Sequence, residues 1–147
     1  MNILLGIGNR LRQDDGAGSY FAENFNAEGW LSLDAGIMPE NFIAVVKRND
    51  PELLVIVDAA DMRLAPGTLR RIPLDDITDD YSFNTHKPPA SFLTEELKKI
   101  TESIIYIGIQ PLSIDFGDEI SQVVLDALNE LQRSFINDEI NLVEQLK

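Results

Sequence analysis

The apolar positions of this chain fall into two kinds of segment, short apolar runs and longer stretches with helical spacing. Short runs occur at residues 2–7, 30–34, 53–57 and 103–109. A continuous apolar run is typical of a strand that is covered on both faces, as in a parallel sheet. These four segments are therefore predicted to be strands, and residues 53–57 carry the strongest signal.

Helical spacing of apolar side chains marks the segments between the strands. A first helix is predicted from Asp14 to about Ala27, and Pro39 suits the first turn of a second. Pro88 and Pro89 can open a third, and a fourth follows the last strand. The four apolar faces consist of Ala17, Tyr20, Phe21 and Phe25; of Phe42, Ile43, Val45 and Val46; of Phe92, Leu93, Leu97 and Ile100; and of Ile120, Val123, Val124, Ala127, Leu128 and Leu131.

The order of these elements predicts the architecture. Alternating strands and helices indicate an α/β fold, a three-layer α/β/α sandwich around a mainly parallel, twisted five-stranded sheet. The fifth strand is the short segment 68–72, which follows the Pro66-Gly67 turn. No helix precedes it, so it is predicted to be the antiparallel member, and residues 74–87 are predicted to be a loop. Since no linker or repeat interrupts the chain, residues 1–147 are predicted to form a single domain.

The composition of the chain excludes some nucleophiles and metal ligands and disfavours some partners. The chain has 25 acidic and 12 basic residues and a net charge of -13, which disfavours a nucleic-acid partner. It has no cysteine, which excludes a thiol nucleophile and cysteine-ligated metals. The N-terminal segment lacks the features of a signal peptide, and no run approaches the ~18 apolar residues that span a bilayer. A cytoplasmic protein without membrane insertion is therefore expected.

Carboxylates follow three of the predicted strands. Asp14 and Asp15 come after the first strand, Asp34 ends the second, and Asp58 follows the third. Ligands of open α/β sheets bind beyond the carboxyl ends of the strands, so these side chains are expected at one edge of the sheet. A single such aspartate is routinely a helix cap or turn residue. Three strands that deliver carboxylates to the same edge indicate a functional site.

His86 is the only histidine of the chain and falls in the predicted loop before the third helix. It is the only side chain that can serve as an imidazole ligand or as a base near neutral pH. With Asp15 and Asp58 it would form a two-carboxylate, one-imidazole site for zinc, nickel, manganese or iron, with positions open for water or substrate. The alternative is that Asp14 or Asp15 caps the first helix, Asp58 ends a strand, and His86 is solvated.

The sequence lacks the motifs for dinucleotide binding and for serine hydrolase chemistry. Gly6 and Gly8 faintly resemble a dinucleotide-binding fingerprint, but the required glycine spacing fails and Gly16 comes too late. Two acids also stand at the helix start, where a pyrophosphate needs bare N–H groups. A Gly-x-Ser-x-Gly elbow is missing, so serine hydrolase chemistry is not supported.

Five sequence blocks together resemble the hydrogenase-maturation endopeptidases. They run in the family's order from residue 3 to about residue 111 and are most similar to the subtype that serves formate-hydrogenlyase-type (hydrogenase 3) enzymes. One departure is Ala35, where the family usually has glycine; an alanine there is unfavourable if the position needs a positive φ. The blocks are residues 6–18, Asp34-Ala35-Gly36 with Pro39-Glu40-Asn41, residues 54–62 with Pro66-Gly67, Thr85-His86, and Gly108-Ile109-Gln110-Pro111.

The resemblance implies an aspartic-type, metal-dependent endopeptidase that removes the C-terminal tail of a nickel-loaded [NiFe]-hydrogenase large-subunit precursor, cutting after a basic or histidine residue. Asp15, Asp58 and His86 match the family's metal-binding residues, which are thought to engage the nickel that the substrate's cysteines already hold. Zinc or cadmium can stand in for this nickel. Asn9 and Asp34 are supporting candidates, although turn and cap stabilisation explains them equally well. A monomer is expected.

Two further hypotheses remain open. The chain can be a non-catalytic nickel chaperone that binds the precursor without cutting it. It can also be similar to peptidyl-tRNA hydrolases, which open with a related Gly-x-Gly-Asn strand end. Against that second hypothesis, proline does not follow Asn9, no histidine lies shortly downstream, and the net charge is strongly negative.

Overall fold

A mixed β-sheet forms the centre of the molecule, and its strands lie in the order β2-β1-β3-β5-β4. The computed structural model describes residues 1–77 and 90–147. Strands β1, β2, β3 and β5 are parallel, and β4 pairs antiparallel with β5. The predicted five-stranded sheet with one antiparallel strand is therefore confirmed. The strands are β1 (Asn2–Ile7), β2 (Trp30–Gly36), β3 (Leu54–Ala59), β4 (Leu69–Arg71) and β5 (Ile104–Ile109).

Four α-helices of the described residues pack on this sheet. They are α1 (Ala17–Asn24), α2 (Ile43–Asn49), α3 (Ala90–Lys98) and α4 (Gln122–Ile136). None of the helices in the described ranges is long and apolar enough to cross a membrane.

Several predicted boundaries shift in the structure. The first two predicted helices begin with tight 3-10 segments, Gln13–Gly16 and Pro39–Phe42, so α1 starts later than the sequence pattern suggests. The segment 74–87, predicted to be a loop, begins with another short 3-10 turn, Leu74–Asp76. The roles predicted for Pro88 and Pro89 lie outside the described residues.

Side chains that alternate along the strands pack into two separate apolar cores, one on each face of the sheet. On one face, Leu4, Val55 and Ile107 pack with residues of α1 and α4. On the other face, Ile3, Ile56 and Tyr106 pack with residues of α2 and α3. Because β1, β3 and β5 contribute to both cores, the sheet is covered on both sides. The predicted three-layer α/β/α arrangement is confirmed.

Glycines allow α1 to lie unusually close to the sheet. A Cβ atom at Gly18 would stand 2.2 Å from the carbonyl oxygen of Val57 and 2.3 Å from that of Ile7. A Cβ at Gly6 would stand 2.1 Å from the carbonyl oxygen of Gly18. These distances are too short for any other residue, so the glycine pattern serves helix–sheet packing. This close approach places the 3-10 turn before α1 directly over the ends of β1 and β3.

Candidate active site

Two of the predicted site residues meet where the parallel strands end, a region called the carboxyl rim below (the last residues of β1, β2 and β3 and the turns that follow them). Asp58 is the penultimate residue of β3, and Asp15 lies in the turn between β1 and α1. Asp15 is 6% exposed, and Asp58 is partly buried. They are close enough that the charge of Asp15 raises the pKa of Asp58. The structure thus brings together two carboxylates that lie far apart in the sequence.

The surroundings of Asp58 favour its protonated form. Burial raises the pKa of Asp58 from 3.8 to about 8, against the opposing effects of a hydrogen bond from Tyr106 and of the Ala59 backbone N–H, while the charge of Asp15 adds to the rise. The Tyr106 hydroxyl donates to Oδ2 of Asp58 over 2.9 Å. Burial, together with the charge and hydrogen bond of Asp58, also raises the pKa of Tyr106 well above its usual value.

The pKa of Asp15 is raised as well. Burial raises the pKa of Asp15, and the positive charge of Arg12 and the backbone N–H of Asn9 partly oppose that rise. Desolvation and a neighbouring like charge both disfavour an ionised carboxylate. Two such carboxylates side by side are therefore suited to receive a cation or to hold and move a proton.

The third predicted ligand, His86, lies in the segment 78–89, outside the described residues. Among residues 1–77 and 90–147, no group of three or more His, Cys, Asp or Glu side chains is placed to hold a metal ion. The described part of the chain therefore supplies Asp15 and Asp58, and the placement of His86 beside them stays a prediction.

The two supporting candidates make local structural contacts. Oδ1 of Asn9 accepts a hydrogen bond of 3.0 Å from the backbone N–H of Leu11. Oδ1 of Asp34 accepts from the Ser19 hydroxyl over 2.5 Å and from the Gly36 N–H over 3.1 Å. These bonds fix the turns after β1 and β2. Their support of the site or of a substrate tail stays a prediction.

Asp14 has a role that the sequence did not reveal. It is fully buried and accepts four hydrogen bonds, from the backbone N–H groups of Leu112, Ser113 and Ser121 and from the Ser121 hydroxyl. Neither the 3-10 turn nor α1 has a side-chain cap, so the alternative that Asp14 or Asp15 caps the first helix is wrong. Local sequence gives no signal for this role, because the partners lie 98 to 107 positions away.

Gln110 is a second residue whose role was missed. Its Oε1 accepts hydrogen bonds from the backbone N–H groups of Met62, at 2.7 Å, and Leu64, at 3.3 Å. Gln110 is 8% exposed and comes directly after β5, so it fixes the loop that leaves β3 just beyond Asp58. The Gly-Ile-Gln-Pro block marked Gln110 in the sequence, but it did not show which backbone groups Gln110 would bind.

The doubt about Ala35 is resolved by the backbone. The positive φ at this turn, +55°, belongs to Gly36, and Ala35 is not among the residues with positive φ. Ala35 lies within β2 and its side chain is 4% exposed. An alanine there carries no left-handed strain and adds a methyl group to the core.

Comparisons with known proteins agree with this fold. A family model described as hydrogenase maturation protease (HycI) matches residues 17–137. The hydrogenase 3 maturation protease of Escherichia coli K12 is 38% identical over 130 residues, which cover 86% of this chain and 83% of that protein. A putative hydrogenase maturation protease of Methanocaldococcus jannaschii is 34% identical over 99% of this chain and 89% of its own length.

Solved structures give the same result. A crystal structure of a hydrogenase 3 maturation protease superposes with a TM-score of 0.90 and 35% identity, covering 100% of this chain and 97% of that one. The [NiFe] hydrogenase maturation protease HycI from Thermococcus kodakarensis gives a TM-score of 0.79 and 29% identity over 95% of this chain and 92% of that one. The sequence match, the architecture and the paired aspartates at the carboxyl rim lead to one assignment: this chain belongs to the HycI family of hydrogenase maturation proteases.

Proposed function

We propose that this protein is an endopeptidase that removes the C-terminal tail of a [NiFe]-hydrogenase large-subunit precursor, and that Asp15, Asp58 and His86 act in the cleavage. Membership of a family of maturation proteases supports the reaction class. The observation that carries the choice of residues is the convergence of Asp15, in the turn after β1, and Asp58, near the end of the neighbouring strand β3, at the carboxyl rim. Active sites of such sheets form at this edge.

We further propose that the nickel of the precursor is the feature that the site recognises. Carboxylate oxygens and one imidazole nitrogen are suitable donors for a divalent first-row metal. A cation delivered by the substrate would offset both the desolvation of Asp15 and Asp58 and the repulsion between them. The precursor would then be cut only after its metal has been inserted, and zinc or cadmium in the precursor could replace nickel in this recognition.

In the proposed chemistry, a water molecule attacks the carbonyl carbon of the scissile peptide and the C–N bond breaks. Asp15 or Asp58 accepts the proton of the water and the leaving amine receives a proton. The substrate-borne metal polarises the carbonyl oxygen or lowers the pKa of the attacking water. The proposed partner is the large-subunit precursor. We also propose that the protein is located in the cytoplasm and is a monomer.

The deciding experiment follows the intact mass of a large-subunit precursor during incubation with the protein. Parallel samples hold nickel-loaded, zinc-loaded, cadmium-loaded and metal-free precursor, and each is repeated with His86→Ala. We expect loss of one discrete C-terminal peptide from the nickel-loaded precursor with the wild type, and no loss from metal-free precursor or with His86→Ala.

Other outcomes would change the proposal in different ways. Cleavage of metal-free precursor at the same rate would remove metal recognition but keep the endopeptidase. Stable binding of loaded precursor without shortening would replace the enzyme with a binding chaperone. Full activity of His86→Ala would remove His86 from the site.

A further inference from the structure

The strand register places Tyr106 beside Asp58 on one face of the sheet. In the parallel pairing of β3 with β5, Ile56 lies opposite Tyr106 and Asp58 lies opposite Gly108. Tyr106 and Asp58 are therefore diagonal neighbours, a separation that a long aromatic side chain can bridge. The ring of Tyr106 extends along this diagonal, and its hydroxyl donates to Oδ2 of Asp58 over 2.9 Å.

The position directly opposite Asp58 leaves no room for a side chain that could take over this contact. A Cβ atom at Gly108 would stand 2.8 Å from Cδ1 of Ile72 and 3.1 Å from Sδ of Met62. Apolar groups thus fill the space across from Asp58, and the hydroxyl of Tyr106 reaches it from the next residue of the same face.

The hydroxyl of Tyr106 has no packing role that a phenylalanine could not fulfil. The residue is 4% exposed and belongs to the apolar core under α2 and α3, with Leu93 and Leu97. Burying a hydroxyl is unfavourable unless it is hydrogen-bonded. Since its partner is Asp58, the presence of a tyrosine here is explained by the carboxylate at the carboxyl rim and not by the core.

We propose that Tyr106 is a positioning residue of this enzyme, whose hydroxyl holds the carboxylate of Asp58 in one orientation for the reaction. With Oδ2 fixed on the hydroxyl, the rotation of the carboxyl plane is fixed, and so is the direction of Oδ1. Preorganised carboxylates of this kind raise the rate of the chemical step more than they strengthen substrate binding. The inference rests on the proposed function, because it needs Asp58 to act in the cleavage.

The test compares Tyr106→Phe with Tyr20→Phe in cleavage of the metal-loaded precursor. Tyr20 is a half-buried tyrosine of α1 whose ring contacts Arg10, so its variant loses a hydroxyl away from Asp58. We expect kcat of Tyr106→Phe to fall about tenfold with KM unchanged, as the loss of one hydrogen bond predicts, and Tyr20→Phe to match the wild type. Tyr106 replaced by 4-aminophenylalanine, which keeps a donor at the same place, should recover most of kcat.

The outcomes separate this inference from the proposed function. If the wild type cuts the precursor and folded Tyr106→Phe keeps its kcat, or loses activity only through KM, the positioning role is wrong while the endopeptidase stands. If the wild type does not cut a correctly loaded precursor, the proposed function itself fails. Should Tyr106→Phe not fold, 4-aminophenylalanine is compared with 4-methylphenylalanine, which has a similar size and no donor, and equal kcat of the two would overturn the inference.

Discussion

Asp14 and Asp58 are both acidic side chains of the carboxyl rim, yet their surroundings are opposite. Asp14 is fully buried and accepts four hydrogen bonds from the segment 112–121. Asp58 is less buried. Among the described residues its donors are the Tyr106 hydroxyl and the Ala59 N–H, and the negative charge of Asp15 acts on it.

Burial alone therefore does not decide what a carboxylate of this protein does. The four donors of Leu112, Ser113 and Ser121 hold Asp14 in place, so that this side chain anchors the loop before α4. Desolvation, together with the charge of Asp15, raises the pKa of Asp58 and suits it to take up a proton or a cation. The sequence Asp14-Asp15 places one residue of each kind side by side.

The largest expected effect is on activity, in Asp58→Asn. This variant keeps the size of the side chain but removes a group that can exchange a proton or bind a cation, so we expect precursor cleavage to fall at least about a thousandfold. The rate of tail removal from loaded precursor measures it, and Asp126→Asn on the exposed face of α4 is the control. Cleavage by Asp58→Asn at the wild-type rate would contradict a role of Asp58 in the reaction, and with it the contrast to the structural role of Asp14.

The next effect is on stability, in Asp14→Asn. The amide group of the new side chain would direct N–H donors at the N–H groups of Leu112 or Ser121, which lose an acceptor. We expect the free energy of unfolding to fall by about 3 kcal/mol, measured by urea denaturation. Asp58→Asn serves as the matched comparison, and its free energy of unfolding should fall much less at pH 7. Equal losses would mean that both carboxylates have the same structural role.

A smaller effect is the pH dependence of stability that Asp58 contributes. Its pKa is about 8 in the folded protein against 3.8 for a free side chain, so the folded state binds the proton more tightly. The stabilisation is complete below pH ~4, declines as the pH rises, and is lost above pH ~8. The free energy of unfolding of the wild type, relative to Asp58→Asn, should therefore fall between these limits, as urea titrations at several pH values would show. A flat difference would contradict the raised pKa.

The smallest effect concerns β2, the third strand of the carboxyl rim. Ala35→Gly restores the usual family residue, but the position has no positive φ and its methyl group is buried. We expect a loss of roughly 1 kcal/mol in the free energy of unfolding and unchanged cleavage. A gain in stability, measured by thermal denaturation, would mean that Ala35 strains the turn after Asp34.

How far the sequence predicts this protein depends on the range of the interactions involved. Apolar periodicity is a local property, and it predicted the strands and helices. Their order along the chain then predicted helices on both faces and an antiparallel segment 68–72. Helix boundaries were less certain, because the tight turns at Gln13–Gly16 and Pro39–Phe42 keep the same apolar spacing as the helices they precede.

The candidate site was predicted in part for the same reason. Aspartates at the ends of parallel strands must share one edge of the sheet, so the sequence by itself determined that Asp15 and Asp58 would meet, and the ordered blocks determined the family. The hydrogen bonds that distinguish the two acids come from partners 98 and 48 positions away, Leu112 for Asp14 and Tyr106 for Asp58. Only the tertiary structure decided that, because donors are supplied by whichever distant loop or strand the fold brings to each carboxylate.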